Sequence, residues 1–256
     1  MFILRGNLAA CFSSALIAAA RAANPAPALE WVKKIQAEGP GVTQVAGVAS
    51  DGQGSLYIAG SASSSAFPAT HVYGGASGTS AFVVKLGPAG KVVYAIRVGG
   101  SGMDTTAGVA VTGDGGVDVG GPTSSADFPV TKGAYQTTRA PGNFIFRLNA
   151  SGTLAWATYF GDTMSVIGAV AAGLDGSIYV SGSTYGNLPV TASAYQTLFE
   201  PAYVCSATQV GPCFPLTNGF LTKLNSSGSA LSYSTYLGFR FYASTAFAVD
   251  ALSNVY

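Results

Sequence analysis

The sequence predicts an all-β chain: a β-propeller of four-stranded antiparallel blades, with about three full blades and partial ends. Three observations carry this expectation. Charged residues make up only 9% of the chain, while Gly supplies 34 residues and aromatics another 11%, a composition that suits many short strands joined by tight turns. The phrase FPVTKGAYQT at Phe128 returns as LPVTASAYQT at Leu188 and, in worn form, as FPATHVYGGA at Phe67; a fixed period of this kind means one supersecondary unit stacked repeatedly. Each period contains four strand-like stretches, the content of one propeller blade.

The elements follow in chain order. Residues 1–28 have the layout of a secretory signal peptide: MFILRGN with one Arg, the apolar run LAACFSSALIAAA, then RAANPAPA with small residues for a peptidase. The apolar run is too short and wrongly flanked for a membrane span. Cleavage after Ala22 or Ala28 fits. The alternative is a lipid-anchored Cys11 in LAAC, although a lipobox Cys follows the apolar run and this one opens it. Residues 29–44 open within the stretch ALEWVKKIQ, counted from Ala28, which matches the fourth strand of a unit, with Trp31 at the place of Tyr94, Trp156 and Tyr233. It reads as the outer strand of a closing blade whose partners lie beyond residue 256.

Blade 1 is expected at 45–104, blade 2 at 105–165, blade 3 at 166–243, and the start of a fourth at 244–256. First strands are AGVAS, AGVAV and GAVAA; turns DGQG, GDGG and LDGS lead to second strands SLYIAG, VDVGG and SIYVSG. Third strands AFVVKL, NFIFRL and GFLTKL turn through GPAG, NASG and NSSG into the fourth. Asp-Gly and Asn-x-Ser-Gly tolerate the positive φ that tight reversals need. In NFIFRL, Phe144 and Phe146 fall on one face and Ile145 and Arg147 on the other. Burial of both faces between neighbouring blades accounts for the low charge without a membrane.

The runs DGSIYVSGSTYGNLPVTASAYQT and GFLTKLNSSGSALSYSTYLG, between Asp175 and Gly238, resemble the SBBP family, a bacterial β-propeller repeat found in tandem in exported proteins. The resemblance covers about residues 29–256 and is strongest in the third copy. It implies export and propeller architecture, and no settled activity. The family's GGSGxD linker is intact only at Gly99–Asp104; FGDTMS and LGFRFY stand in its place elsewhere. Known propellers have roughly four to eight blades, so a chain of three with two half-ends is expected to be a fragment or truncated reading frame of a longer propeller, monomeric when full length. The alternative is a ring completed by dimerisation.

Twelve Lys and Arg against eleven Asp and Glu, all scattered, exclude a nucleic-acid surface. Export places the protein outside the cell or in its envelope, periplasm or outer surface, and there Cys205 and Cys213 are expected to form a disulfide; the alternative is two free thiols. A metal centre lacks ligands, since the sole His, His71, lies in another repeat. Asp104, Asp114, Asp127 and Asp162 sit in turns or links where Asp serves local hydrogen bonds. The recurring Asp51-Gly52, Asp114-Gly115 and Asp175-Gly176 offer one carboxylate per turn, too few for calcium. GDGGVDVGG lacks the strand-to-helix context of a phosphate loop. No catalytic, cofactor-binding or metal-binding residue is therefore assigned.

Function is expected on the rim. Phe128 with Pro129, Leu188 with Pro189, and Tyr135 and Tyr195 should anchor a recurrent loop between second and third strands. Blade 3 breaks the repeat with an inserted loop, 199–217, containing the Cys pair, and long loops on a rigid scaffold are where binding concentrates. Phe199, Glu200, Tyr203 and Phe214 are the candidate partner-binding residues. The expected function is that of a non-catalytic exported repeat protein that binds a protein or glycan at the cell surface through rim loops. The alternatives are a structural spacer in a larger surface protein, or a propeller-hosted hydrolase, lyase or quinone-dependent dehydrogenase with its site on missing blades.

Overall fold

The computed structural model describes residues 14–21, 28–36, 41–63, 67–138, 142–205, 213–239 and 247–256, and all the regular structure among them is strand. The strands β1 (Ser14–Arg21) and β2 (Ala28–Gln36) pair antiparallel. The first large sheet holds β3 (Thr43–Ser50), β4 (Leu56–Ala62), β5 (His71–Tyr73), β6 (Ser80–Leu86) and β7 (Val92–Val98), in the order β3-β4-β6-β7-β5, with β5 parallel to β7. The second is the antiparallel meander of β8 (Gly108–Val111), β9 (Val117–Thr123), β10 (Gly142–Leu148) and β11 (Leu154–Phe160). The third consists of β12 (Ser165–Ala172), β13 (Ile178–Thr184), β16 (Asn218–Leu224) and β17 (Leu231–Phe239). A ribbon of β14 (Ala202–Val204) and β15 (Phe214–Leu216) rises between β13 and β16.

The first strands β3, β8 and β12 lie side by side, so the sheets stack in chain order as an arc. The described residues form no closed ring. Within the arc the central strands are buried along almost their whole length. Phe144 and Phe146 join Tyr57, Val83 and Tyr94 of the first sheet, whereas Ile145 joins Ile178, Val180 and Phe220 of the third. The alternation along β10 therefore serves two neighbours, as the sequence predicts. The strand expected around Trp31 forms, but its partner is β1, from the segment read as a leader.

Both hairpins of each sheet turn through a similar loop, five residues long except in the outer turn of the third sheet, where Asn225 N donates to Ala230 O and the loop has six. In the first, the backbone N–H of Asp51, Thr112 and Gly173 donates to the carbonyl four residues on, and the fourth residue, Gly54, Gly115 or Gly176, has φ of +85°, +81° or +77°. Glycine occupies that position because a Cβ is disfavoured there. Aligned this way, the three Asp-Gly pairs are not equivalent: Asp51 opens its turn, while Asp114 and Asp175 are third. Asp51 Oδ1 accepts from Gln53 N at 2.9 Å and Ser55 N at 2.8 Å; Asp175 instead accepts from the Ser177 N–H and hydroxyl. Asp250 repeats the Asp51 pattern, accepting from Leu252 N and Asn254 N, both at 2.9 Å. Val249 and Val255 bridge behind it. A fourth turn of the first kind is thus present.

Polar contacts between sheets recur with the same period. Tyr94 lies against Gly152, and Trp156 against Gly228, each an outer-turn glycine of the following sheet, at positions where an added Cβ would enter the ring. Trp156 Nε1 also donates to the Ser226 carbonyl at 2.9 Å. On the inner side, Tyr57 donates to the Gly115 carbonyl at 2.9 Å. The residue facing Tyr57 across the strands is Lys85, whose Nζ lies 4.8 Å from the ring centroid; in the third sheet Lys223 sits 5.0 Å from Tyr179. In the second sheet the pair is Arg147 and Asp118. Asp118 cannot reach the next sheet, and Arg147 does so instead, donating to the Gly176 carbonyl at 2.7 Å and to Ser226 O at 3.1 Å.

Arg147 is held by two bonds of 2.6 Å to the Asp118 carboxylate and packs on Trp156. Burial pushes the Asp118 carboxyl up to about 6 against the pull of the guanidinium. Removing one member of such a pair strands a buried charge, at a cost of about 3–5 kcal/mol. We expect Arg147→Ala to lower stability by that amount, and Asp118→Tyr with Arg147→Lys, which installs the pair of the flanking sheets, to recover most of it; denaturant unfolding of the full chain measures both. Gly228→Ala should likewise destabilise more than Gly133→Ala. Both glycines have positive φ, a strain of about 1–2 kcal/mol for a side chain. Only Gly228 has a ring against it, since a Cβ at Gly133 meets nothing within 4 Å.

Candidate functional site

The loops between second and third strands begin by docking on their own sheet. Phe67, Phe128 and Leu188 are buried beneath them. The Thr that follows in each phrase then acts as a clip on the exposed edge of the fourth strand. Thr70 Oγ1 donates to Ala95 O at 2.8 Å and accepts from Ala95 N at 3.1 Å. Thr131 does the same with Ala157, and Thr191 with Ser234. Further along, Gln136 N donates to Thr158 Oγ1 at 2.8 Å, and Gln196 N to Thr235 Oγ1 at 2.9 Å. The Tyr159 hydroxyl accepts from Phe128 N and donates to Ser125 O; Tyr236 repeats this with Leu188 N and Gly186 O. A sheet edge carries unpaired N–H and C=O groups that invite other chains, and these loops occupy it. Recurrence of the phrase is therefore explained by edge protection.

One expected anchor fails. Tyr135 is half-buried against the third sheet, its N–H donating to Gly228 O at 2.9 Å, but Tyr195 at the matching position is 83% exposed. The cover over Tyr135 comes from the following sheet, and none of the described residues covers Tyr195 in that way.

The insertion in the third sheet is built differently. Cys205 and Cys213 are joined in a disulfide just beyond the ribbon, in which Ala202 faces Leu216 and Val204 faces Phe214. Its base is held by buried Asn218, whose Oδ1 accepts from Glu200 N at 3.2 Å and whose Nδ2 donates to Glu200 O at 2.8 Å. Sequence reasoning passed over Asn218, for only the fold shows that its amide stands in for a strand neighbour.

The four candidate contact residues separate. Tyr203 is 64% exposed and Glu200 is exposed. Phe199 is partly buried: its ring packs edge-on against Tyr236, 6.0 Å between centroids, and lies against the core cluster. The Phe214 side chain lies outside the described residues. Leu198 and Val204 are exposed as well. The exposed residues here are thus Leu198, Glu200, Tyr203 and Val204, the last two on opposite faces of the ribbon.

Acidic groups elsewhere serve local structure. Asp104 is fully buried, accepting from Gly100 N, Ser125 Oγ and Thr123 Oγ1, and burial raises its carboxyl. Asp127 accepts from Ser101 N and Oγ. Hydrogen bonding from Lys223 holds Asp175 well below the usual carboxylate range. His71 is an exposed residue of β5. Among the described residues, no three His, Cys, Asp or Glu side chains gather as a metal centre would require.

Closing a loop this short contributes about 2–3 kcal/mol to the folded ribbon. Replacing Cys205 and Cys213 by Ala should make the ribbon more sensitive to limited proteolysis while the far-ultraviolet β signal of the chain stays the same; mass mapping of the fragments reads this. No family model matches the chain, and no curated protein matches it.

Proposed function

We propose that this chain is an exported, non-catalytic repeat protein with β-propeller blades of the SBBP type that binds a protein or glycan partner at the cell surface through its rim loops. The observation that carries the reading is the inserted ribbon, where the repeat is interrupted by a stapled element presenting Tyr203 and Val204 to solvent. An amphipathic Tyr and an apolar neighbour on a braced hairpin offer contact area at low cost in lost side-chain freedom.

The blade reading is supported by the three stacked meanders and by the Asp250 turn, which begins the pattern of a further unit. Export is supported by the disulfide, which persists in oxidising compartments. No described helix is long and apolar enough to cross a membrane. A non-catalytic role is supported by the occupation of Asp104, Asp118 and Asp175 in structural bonds. The edge-clipping loops favour the spacer reading as the second choice, because their repeated residues serve the sheets themselves.

Retention of the labelled chain on bacterial cell-envelope preparations separates the two. We expect saturable retention that falls about tenfold, a loss of about 1.4 kcal/mol, when Tyr203 and Val204 are both changed to Ser. Equal retention of chain and variant would leave the ribbon without a binding role and make the spacer the better description.

A further inference from the structure

The junction between the second and third sheets holds a shallow, open cleft of about 570 Å³. One wall is the end of the second sheet's loop, with Tyr135, Gln136 and Thr138; the other is the start of the third sheet's loop, with Asn187 and Pro189; the linker contributes Asp162. The junction before it shows how this space is ordinarily filled. There the linker bonds across to the loop, Ser101 N and Oγ donating to Asp127 Oδ1 at 2.8 and 3.0 Å, and Gly74 lies so close to Pro129 that a Cβ would sit 3.0 Å from its ring. In the second junction, Asn187 stands at the place of Asp127 and Asp162 at that of Gly100. The linker turns back on itself: Asp162 Oδ1 accepts from Met164 N at 2.9 Å and Asp162 N donates to Ser165 Oγ at 3.1 Å. The side-chain cross-link to the loop has no counterpart here, although Tyr185 N still donates to Met164 O at 2.9 Å, and the cleft stays open.

We propose that this cleft binds the ring of a neutral hexopyranose. Several polar groups around it keep hydrogen-bonding capacity with no intramolecular partner among the described residues. They are Asp162 Oδ2, Gln136 Oε1, the Asn187 carboxamide and the hydroxyls of Thr138 and Tyr135. Carboxamides and carboxylates present two sites in one plane, the geometry that meets two adjacent ring hydroxyls, each of which donates and accepts. Pro189 and the Tyr135 ring supply apolar wall for the C–H face of a sugar. The one formal charge in the lining is the Asp162 carboxylate. It opposes phosphate, sulfate or uronate groups, for an unpaired like charge is how a site rejects the wrong ligand. The open shape also gives an apolar ligand no enclosure, whereas pockets for such ligands bury most of the bound surface. The proposal goes beyond the ribbon reading and uses none of its residues.

The test is calorimetric titration and saturation-transfer NMR of the full chain with the methyl glycosides of glucose, galactose, mannose and N-acetylglucosamine, and with glucuronate and N-acetylneuraminate. At least one neutral glycoside should bind with Kd about 1 mM, and neither acid should. Asn187→Ala should weaken that binding about tenfold, and Asn187→Trp, which fills the cleft, should abolish it. Asn187 is exposed, so both variants should keep the wild-type β signal; Thr138→Ala on the opposite wall gives an independent loss. Tyr203→Ser should leave sugar binding unchanged, which separates this site from the ribbon. The proposal is overturned if no neutral glycoside binds, if the acids bind as tightly, or if binding survives in Asn187→Trp.

Discussion

Each of the three large sheets is apolar on both faces along its central strands, so none of them can stand without a neighbour. In β10 the Phe144 and Phe146 rings face one sheet and Ile145 the other, and all three are fully buried. Each large apolar side chain so placed contributes about 1.5–3 kcal/mol relative to an exposed one, and a face carries several. Stacking is therefore the condition for folding, and everything else in the repeat arranges for it. The turns must be tight and of one type, so that a ring from one sheet can lie on a turn of the next. The fourth strand must not pair with a stranger, so the following loop clips to its edge.

The polar part of the stacking shows which features are required and which are interchangeable. Tyr57 and Lys85 in the first sheet, and Tyr179 and Lys223 in the third, share one solution: an aromatic with a cation above it. The second sheet uses Asp118 and Arg147 at the same register. What both solutions deliver is a donor to the carbonyl at the positive-φ turn residue of the next sheet, Gly115 in one case and Gly176 in the other. A Tyr reaches it alone; an Asp cannot, and the longer planar Arg fork bonds the Asp and the carbonyl together. The bond between sheets persists while its chemistry changes, at the price of a fully buried carboxylate that depends on its partner.

This is also where the limit of reading the sequence lay. Strand count, double burial and the glycine turns were legible because they follow from local periodicity and turn chemistry, which repeat. The three Asp-Gly pairs looked equivalent because the dipeptide is the same; the bonded register places Asp51 first and Asp114 and Asp175 third, a two-residue offset hidden within a turn. Tyr135 and Tyr195 are alike in sequence and opposite in exposure, since the following sheet that covers one is a tertiary fact. Phe199 looked available as part of an insertion, yet an aromatic three residues past a clipped Gln is within reach of its own sheet's core, and Tyr236 takes it. The Cys pair was readable from its spacing and the expectation of export, the ribbon it closes was not, and Asn218 had no local signal at all.

A repeat that uses its phrases to seal edges leaves few groups free for other work, and the free ones are found where the repeat is departed from. Thr70, Thr131 and Thr191 of the loop phrases bond the edge of their own sheets, so a ligand reaching those positions finds their hydrogen bonds already made. Two departures change that, and both lie on the third sheet's side. One adds residues and pushes Tyr203 away from the scaffold. The other exchanges Gly100 and Asp127 for Asp162 and Asn187, which undoes a cross-link and leaves amide and carboxylate capacity facing solvent. Both additions sit on a frame whose stability comes from other residues, so either can vary without unfolding the arc. On the binding reading proposed above, that separation would let a stacked repeat acquire specificity one loop at a time.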